Sequence, residues 1–282
     1  MEDGLKSDDV VLDRVVEAVL GGSKYRHVSR ALVREIGRVE LGKGRGMKEA
    51  VKAVKNKLHQ VAGAYVEGGD SGSRPYERWL GELREAAGSG DGESLKGGCR
   101  RIMGSHASTR ERLPILEEFY GRIFEELPPV RSVVDVACGL NPLAIPWMGL
   151  ADGTGYVAYD IYEDMMGFLG GVLGIFGVEG RGETRDVVAE PSVEEVDLAL
   201  VLKAIPCLEQ IDRSAGRRLL DGLKAKNMVV SFPVASLGGR NKGMAANYEA
   251  RFWELAEGQD WVVKKLVFRS ELVFVVAREG SL

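Results

Sequence analysis

The chain has 282 residues, 38 Lys+Arg against 42 Asp+Glu, a formal net charge of −4 and 45% hydrophobic residues, which excludes a disordered or collagen-like protein. Its longest charge-free apolar run, Met165 to Val178, has 14 residues and five glycines, short of the roughly 20 a membrane span needs, and the acidic start MEDGLKSDDV is unlike a secretory signal. Cys99, Cys138 and Cys207 lie far apart without a CxxC pair, so neither a disulfide framework nor a metal site is expected, and the expected location is cytoplasmic.

The first hundred residues have a helical pattern and segregated charge. Residues 1–20 hold six acids and two bases. Residues 21–60 hold eleven bases against Glu35, Glu40 and Glu49, a balance of +8. Such asymmetry is a footprint of polyanion binding, or else a solvated helix surface. Asp9 is placed to cap a helix over 10–20, stopped by Gly21 and Gly22, and Ser29 to cap a second ending near Gly42. A third helix is expected from about Met47 to Val66. Val51, Val54, Leu58, Val61 and Tyr65 make its apolar stripe, while Lys48, Lys52 and Lys55 form a basic ridge on another face. A loop at 88–92 precedes a further helical stretch over 100–113.

Beyond Pro128 and Pro129 the pattern becomes short apolar runs separated by segments long enough for crossover helices. Strands are expected at 133–137, 156–159, 197–202 and 228–232, with an antiparallel pair over 261–268 and 271–277. Buried strands alternating with helices imply a mostly parallel sheet with a mixed C-terminal edge. The fold class is therefore α/β, with a helical extension over residues 1–105 and a core over 106–282.

Open α/β sheets bind ligands beyond the carboxyl ends of their strands. The first strand ends in Ala137-Cys-Gly-Leu-Asn-Pro142, where Gly139 removes a side chain and Asn141 is placed to cap the next helix. One glycine is too few for a pyrophosphate fingerprint. The second strand ends in Asp160, 21 residues past Gly139, a position from which a carboxylate accepts ribose hydroxyls. Ribose recognition without a phosphate cradle points to S-adenosylmethionine.

Five blocks make the comparison specific: His106-Ala-Ser-Thr-Arg-Glu-Arg-Leu-Pro114, Ala137-Cys-Gly-Leu-Asn-Pro142, Pro146-Trp-Met-Gly-Leu150, Leu202-Lys-Ala-Ile-Pro-Cys-Leu-Glu209 and Ser236-Leu-Gly-Gly-Arg-Asn-Lys-Gly-Met244. In this order they resemble the aminoglycoside-resistance 16S rRNA (guanine(1405)-N7)-methyltransferases, over nearly the whole chain. The resemblance implies a class I S-adenosylmethionine-dependent methyltransferase, acting as a monomer on 16S rRNA in the small (30S) ribosomal subunit. It implies that Arg112 pairs with the donor's carboxylate, that Ala137 and Gly139 line the donor and that Asp160 holds its ribose. Asp186, Val187 and Leu202 would surround the adenine, with Tyr65, His106, Ala107 and Ser108 closing over the donor from the helical side. Where the family pattern has a glutamine two residues after Pro-Cys-Leu-Glu, this chain has Ile211, preceded by Gln210.

Each assignment has a plainer alternative. Arg112 reads equally as a surface arginine, Asp160 as a turn residue, and Asp186 as a helix cap. His106 reads as structural, and neither Cys138 nor Cys207 as a nucleophile. Lys203, Arg240 and Lys242 follow strand ends on the expected active face, where they would hold RNA phosphates or the flipped base. Two other readings stand beside the rRNA enzyme: a methyltransferase acting on a small natural product, and a non-catalytic RNA-binding protein with the same fold.

Overall fold

A computed structural model describes residues 2–60, 75–190, 194–210, 212–234 and 243–278. Seven strands form one sheet in the order β3-β2-β1-β4-β5-β7-β6. β1 (Ser132–Val136), β2 (Gly155–Asp160), β3 (Glu179–Thr184), β4 (Glu195–Leu202) and β5 (Lys224–Pro233) run parallel. β7 (Glu271–Arg278) inserts antiparallel between β5 and the edge strand β6 (Trp261–Val267). Strand order reverses between β1 and β4, so their carboxyl ends open the crevice that a ligand would enter.

Helices α1 (Glu2–Leu20), α2 (Arg30–Gly42) and α3 (Met47–Leu58) pack on one another, as do α4 (Tyr76–Gly88) and α5 (Gly92–Met103). They are followed by a short α6 (Ala107–Arg110), α7 (Leu116–Phe124), α8 (Glu163–Ile175), a short α9 (Ile205–Leu208), α10 (Ala215–Gly222) and α11 (Met244–Ala256). Side chains alternate across the sheet, as strand geometry requires. Val133, Leu198, Val229 and Val273 join one buried cluster, and Val134, Ala199, Val230 and Phe274 join another. The first cluster runs without a break from Val15 in α1 to Val275 in β7. The N-terminal helices and the sheet thus share a core.

Several local expectations are corrected. Asp9 does not cap α1, because the helix runs through it from Glu2. Asn141 does not cap a helix either: a 3-10 segment over Asn141–Trp147 has Leu140 at its start, and the buried Asn141 side chain serves the site described below. The stretch over 100–113 is not one helix. α5 stops at Met103, and Thr109 turns back to donate its hydroxyl to Met103 O (2.6 Å), joining His106 N on a carbonyl at the helix end. Ser29 does cap α2, accepting from Leu32 N.

Strand β3 was not expected from its sequence, Glu-Gly-Arg-Gly-Glu-Thr, which has no apolar residue. The glycines explain why it forms at the sheet edge. A Cβ on Gly180 would lie 2.0 Å from Tyr156 O, and one on Gly182 would lie 2.4 Å from Met166 O. Only bare backbone fits between β2 and α8.

Candidate active site

A cavity of about 590 Å³ opens at the switch point. Its floor is built by three residues in the left-handed backbone region: Ala137 (φ 50°) and Gly139 (φ 53°) after β1, and Lys203 (φ 57°) after β4. A residue with a Cβ in this region carries about 1–2 kcal/mol of strain. Strain at the ends of both central strands marks the place where the fold gives up local comfort for a binding geometry. At Gly139 a Cβ would also meet His106 Cε1 at 2.8 Å. The imidazole packs where any other residue would put its side chain.

Asp160, at the end of β2, lines the cavity. Its Oδ2 accepts from Gly139 N (2.9 Å) and its Oδ1 from Ile161 N (2.7 Å). The strand-end acid and the glycine turn are therefore one device: the backbone amides fix the carboxylate, and the carboxylate fixes the turn. Asp186, Val187, Leu202, His106 and Ser108 also face the cavity. Asp186 is at the same time a cap, its Oδ1 accepting from Val188 N (3.0 Å). The turn it caps is not a helix, so the helix-cap reading is corrected to a side-chain turn over residues 186–189 at the cavity edge.

Other expected contacts lie elsewhere. Ala107 and Gln210 are outside the cavity lining, Ala107 buried and Gln210 exposed. Arg112 is also outside the lining, and the surface-helix reading of it is wrong: its side chain is 1% exposed. Its guanidinium forms a bidentate pair with Glu271, and Nη1 donates to Asn141 Oδ1 (2.7 Å). Burial pulls its pKa down, but the Glu271 charge outweighs this and holds it above the ordinary arginine value.

Lys203 requires the clearest correction. Its place after a strand end predicts a contact with RNA, yet its side chain is 3% exposed. The ammonium donates to Ser108 O (2.7 Å) and to Glu111 Oε2 (2.9 Å), and lies 3.5 Å from Glu271 Oε1. It ties the 106–111 segment to the end of β4 instead of facing solvent.

The acid beneath this cluster is Asp135, fully buried in β1. Burial pushes its pKa up to about 6, although Asn141 Nδ2 (2.9 Å) and the Tyr156 hydroxyl (2.7 Å) both donate to its Oδ2. Cys138, which also lines the cavity, has its thiol pKa raised by burial and by Asp135. A thiol held in its protonated form is a poor nucleophile, in keeping with the sequence reading.

On the N-terminal helices the charge excess is partly cancelled in space. Arg30 pairs with Glu17, Arg34 with Asp9 and Asp13, and Arg38 with Glu35. Lys43, Arg45 and Lys57 gather around the buried Glu40. The ridge survives this accounting. Lys48 and Lys52 are exposed and Lys55 half-buried, and none of them forms an ion pair among the described residues. Tyr65, Arg240, Lys242 and Ile211 lie outside the described residues.

Comparison with known proteins decides the family. Residues 22–275 match the ribosomal RNA methyltransferase (FmrO) family. The chain belongs to that family. It is 39% identical over 268 residues to the 16S rRNA (guanine(1405)-N(7))-methyltransferase of Micromonospora echinospora, covering 95% of this chain and 97% of that one. It is 40% identical over 275 residues to the enzyme of that name from Frankia casuarinae, with 96% and 95% covered. Among solved structures, the 16S rRNA methyltransferase RmtF in complex with S-adenosyl-L-homocysteine superposes with a TM-score of 0.79 at 30% identity, over 95% of this chain and 98% of that one. The 16S rRNA methylase RmtB superposes with a TM-score of 0.75 at 28% identity, covering 95% and 98%. The fold is that of a class I methyltransferase, and the enzyme is S-adenosylmethionine-dependent.

Glu271 and the α2 side chains of the cavity wall are absent from the sequence reading, which assigns Asn141 only a capping role. Glu271 had a signal, a lone acid opening an otherwise apolar strand. The α2 residues had none, because a helical stripe announces burial and not what it is buried against.

Proposed function

We propose that this protein transfers the methyl group of S-adenosylmethionine to N7 of guanine 1405 in 16S rRNA, within the assembled small subunit and in the cytoplasm, and thereby confers aminoglycoside resistance. The observation that carries this reading is the cavity at the switch point, with Asp160 locked to the Gly139 turn, in a chain similar over nearly its full length to enzymes of that name. The residues fit the donor. A fixed carboxylate suits two ribose hydroxyls, and a Cβ-free turn lets the ligand approach backbone. Arg112, buried outside the cavity lining, braces the methionine end from behind through Glu271 and Asn141; the pairing with the donor carboxylate that the resemblance implies would require it to leave Glu271.

When bound, S-adenosylmethionine supplies an electrophilic methyl group on a positively charged sulfur. Guanine N7 presents a lone pair and no proton, so its attack needs no general base. The residues at the cavity accordingly orient and exclude water rather than move protons. N7 lies on the major-groove edge, which is deep and narrow in A-form RNA, so the guanine has to leave the stack to be reached. The ridge of Lys48, Lys52 and Lys55, with Arg240 and Lys242, supplies phosphate contacts for that presentation.

The test is to incubate small subunits with enzyme and donor and map the modification by primer extension. After borohydride reduction and aniline cleavage, which break the chain at N7-methylguanosine, a stop one nucleotide 3′ of guanine 1405 is expected, with cells expressing the protein surviving kanamycin and gentamicin but not apramycin. Turnover on a small natural product without rRNA modification would favour the small-molecule reading. Donor binding without any turnover would favour a non-catalytic RNA-binding protein.

A further inference from the structure

The wall of the cavity facing the strand ends belongs to the N-terminal helices. Leu32, Ile36 and Val39 of α2 line the same space as Asp160, Ile161 and Asp186. Their spacing of four and three residues places them on one helix face. We infer that this face of α2 closes the adenosine end of the donor site, so that the N-terminal region takes part in donor recognition as well as in RNA capture. This rests on the reading that the cavity holds S-adenosylmethionine.

Backbone geometry fixes the arrangement. Immediately after Asp160, Ile161 O accepts from Ser29 N (2.7 Å), Glu163 N donates to His27 O (2.8 Å), and Tyr162 forms an isolated antiparallel bridge with Val28. The three residues that follow the ribose acid are thus paired to the three that precede α2. Ser29, the N-cap of α2, is one of them, so the helix starts at the donor loop and its direction is set there.

Two further observations bear on what the face is for. Val39 is 44% exposed, an apolar side chain at the cavity wall left partly open among the described residues; a purine ring would cover it. Across the mouth, Lys57 at the end of α3 faces Asp212 in the segment after α9. Its pKa is lowered by burial and by Lys43 and Arg45, with Asp212 opposing them. The mouth is framed by the N-terminal helices on one side and by the sheet's own connections on the other. The start of α2 is paired to the loop that follows the ribose acid, whereas Lys203 is bonded to Ser108 and Glu111, in the segment that leads to Arg112.

The experiment uses the full chain and two ligands, S-adenosylhomocysteine and 5′-methylthioadenosine, which shares the adenosine but lacks the amino acid. The variants are Val39→Ala, whose side chain is exposed in the native protein, and Ile36→Ala, with unliganded thermal melting to verify folding. Removing apolar contact on this scale should weaken binding about fivefold, by the same factor for both ligands. Photolabelling wild-type protein with an 8-azidoadenosyl analogue should modify the peptide spanning residues 30–42. Wild-type affinity for both ligands in folded variants, a loss confined to S-adenosylhomocysteine, or label found only on peptides of the sheet and its connections would each overturn the inference. If wild-type protein binds neither ligand, it is the donor reading itself that fails.

Discussion

Arg112 and Glu271, 159 residues apart in sequence, meet as a bidentate ion pair with side chains 1% and 0% exposed. The two contacts measure 2.7 Å (Nε to Oε1) and 2.9 Å (Nη2 to Oε2). Ser231 donates to Glu271 Oε2 (2.8 Å) and the Lys203 ammonium stands 3.5 Å from Oε1. Burial alone would raise the Glu271 pKa, but the charges of Arg112 and Lys203 hold it below the usual carboxylate value. The pair joins the segment entering α7 to the strand inserted between β5 and β6. It sits one layer behind the lysine that lines the cavity.

Breaking such a pair leaves an uncompensated buried charge, which typically costs about 3–5 kcal/mol. Glu271→Ala should therefore destabilise the protein by about that much in urea unfolding. The double variant Arg112→Met with Glu271→Leu should recover most of the loss, since a well-packed apolar pair is often no less stable than the ions it replaces. If the double variant is as unstable as the single one, the hydrogen bonds to Asn141 and Ser231 matter more than the charge pair.

Lys203 offers a sharper functional test, because its two readings predict opposite results. With its ammonium on Ser108 O and Glu111, Lys203→Met should loosen the 106–111 segment. Losing a charge-assisted bond of about 1.5–3 kcal/mol corresponds to a roughly ten- to hundredfold fall in donor affinity. Subunit affinity at fixed salt should stay within twofold of wild type. A variant that binds donor normally but subunits weakly would restore Lys203 to the RNA surface.

What the sequence made legible was whatever rests on periodicity or on a short motif. Six of the seven strands and the Ser29 cap follow from apolar runs and from the residue types that satisfy helix ends. The Asp160–Gly139 lock was readable as two elements but not as a hydrogen bond. β3 stayed hidden because an edge strand built on Gly180 and Gly182 has no apolar signature. The fate of the basic segment was hidden for a related reason. Its partners Asp9, Asp13 and Glu17 belong to another helix, and pairing across helices leaves no trace in local charge balance. Lys203 looked exposed because lysine usually is; its burial depends on Glu271, 68 positions later, which no local pattern connects to it.

Asp135 predicts a pH dependence. Its native pKa of about 6 lies above the ordinary value of 3.8, so the folded protein holds this proton more tightly than the unfolded chain does. The stabilising contribution is full below pH 3.8 and disappears as pH rises through 6, a total of about 3 kcal/mol, with roughly 1 kcal/mol of it lost between pH 5 and pH 8. Asp135→Asn has no such proton to lose, so the variant should gain on wild type by that amount across the same interval in urea unfolding. A difference between the two proteins that does not change with pH would mean that Asp135 stays ionised throughout.

Among the described residues, intramolecular acids leave alone the ridge of Lys48, Lys52 and Lys55 together with Lys24 and Arg26, whereas Arg30, Arg34, Arg38, Lys43, Arg45 and Lys57 are all engaged. The +8 balance of residues 21–60 therefore overstates the charge offered to RNA, and three lysines carry a larger share of it than composition suggests. Each lysine that contacts a duplex phosphate should contribute about 0.9 to the slope of log affinity against log salt. Replacing all three with Glu should weaken binding to small subunits and flatten that slope by about 2.7 if every one makes such a contact. Donor affinity should remain near wild type, because Val54 and Leu58, not the lysines, form the buried face of α3. The measurement is subunit binding across a salt series, with donor calorimetry on the same preparation. An unchanged slope would make the ridge a solvated surface and leave RNA capture to residues beyond α3. A fall in donor affinity as well would mean that α3 supports the α2 wall through their shared packing, and the triple variant would then have to be replaced by single substitutions read one at a time.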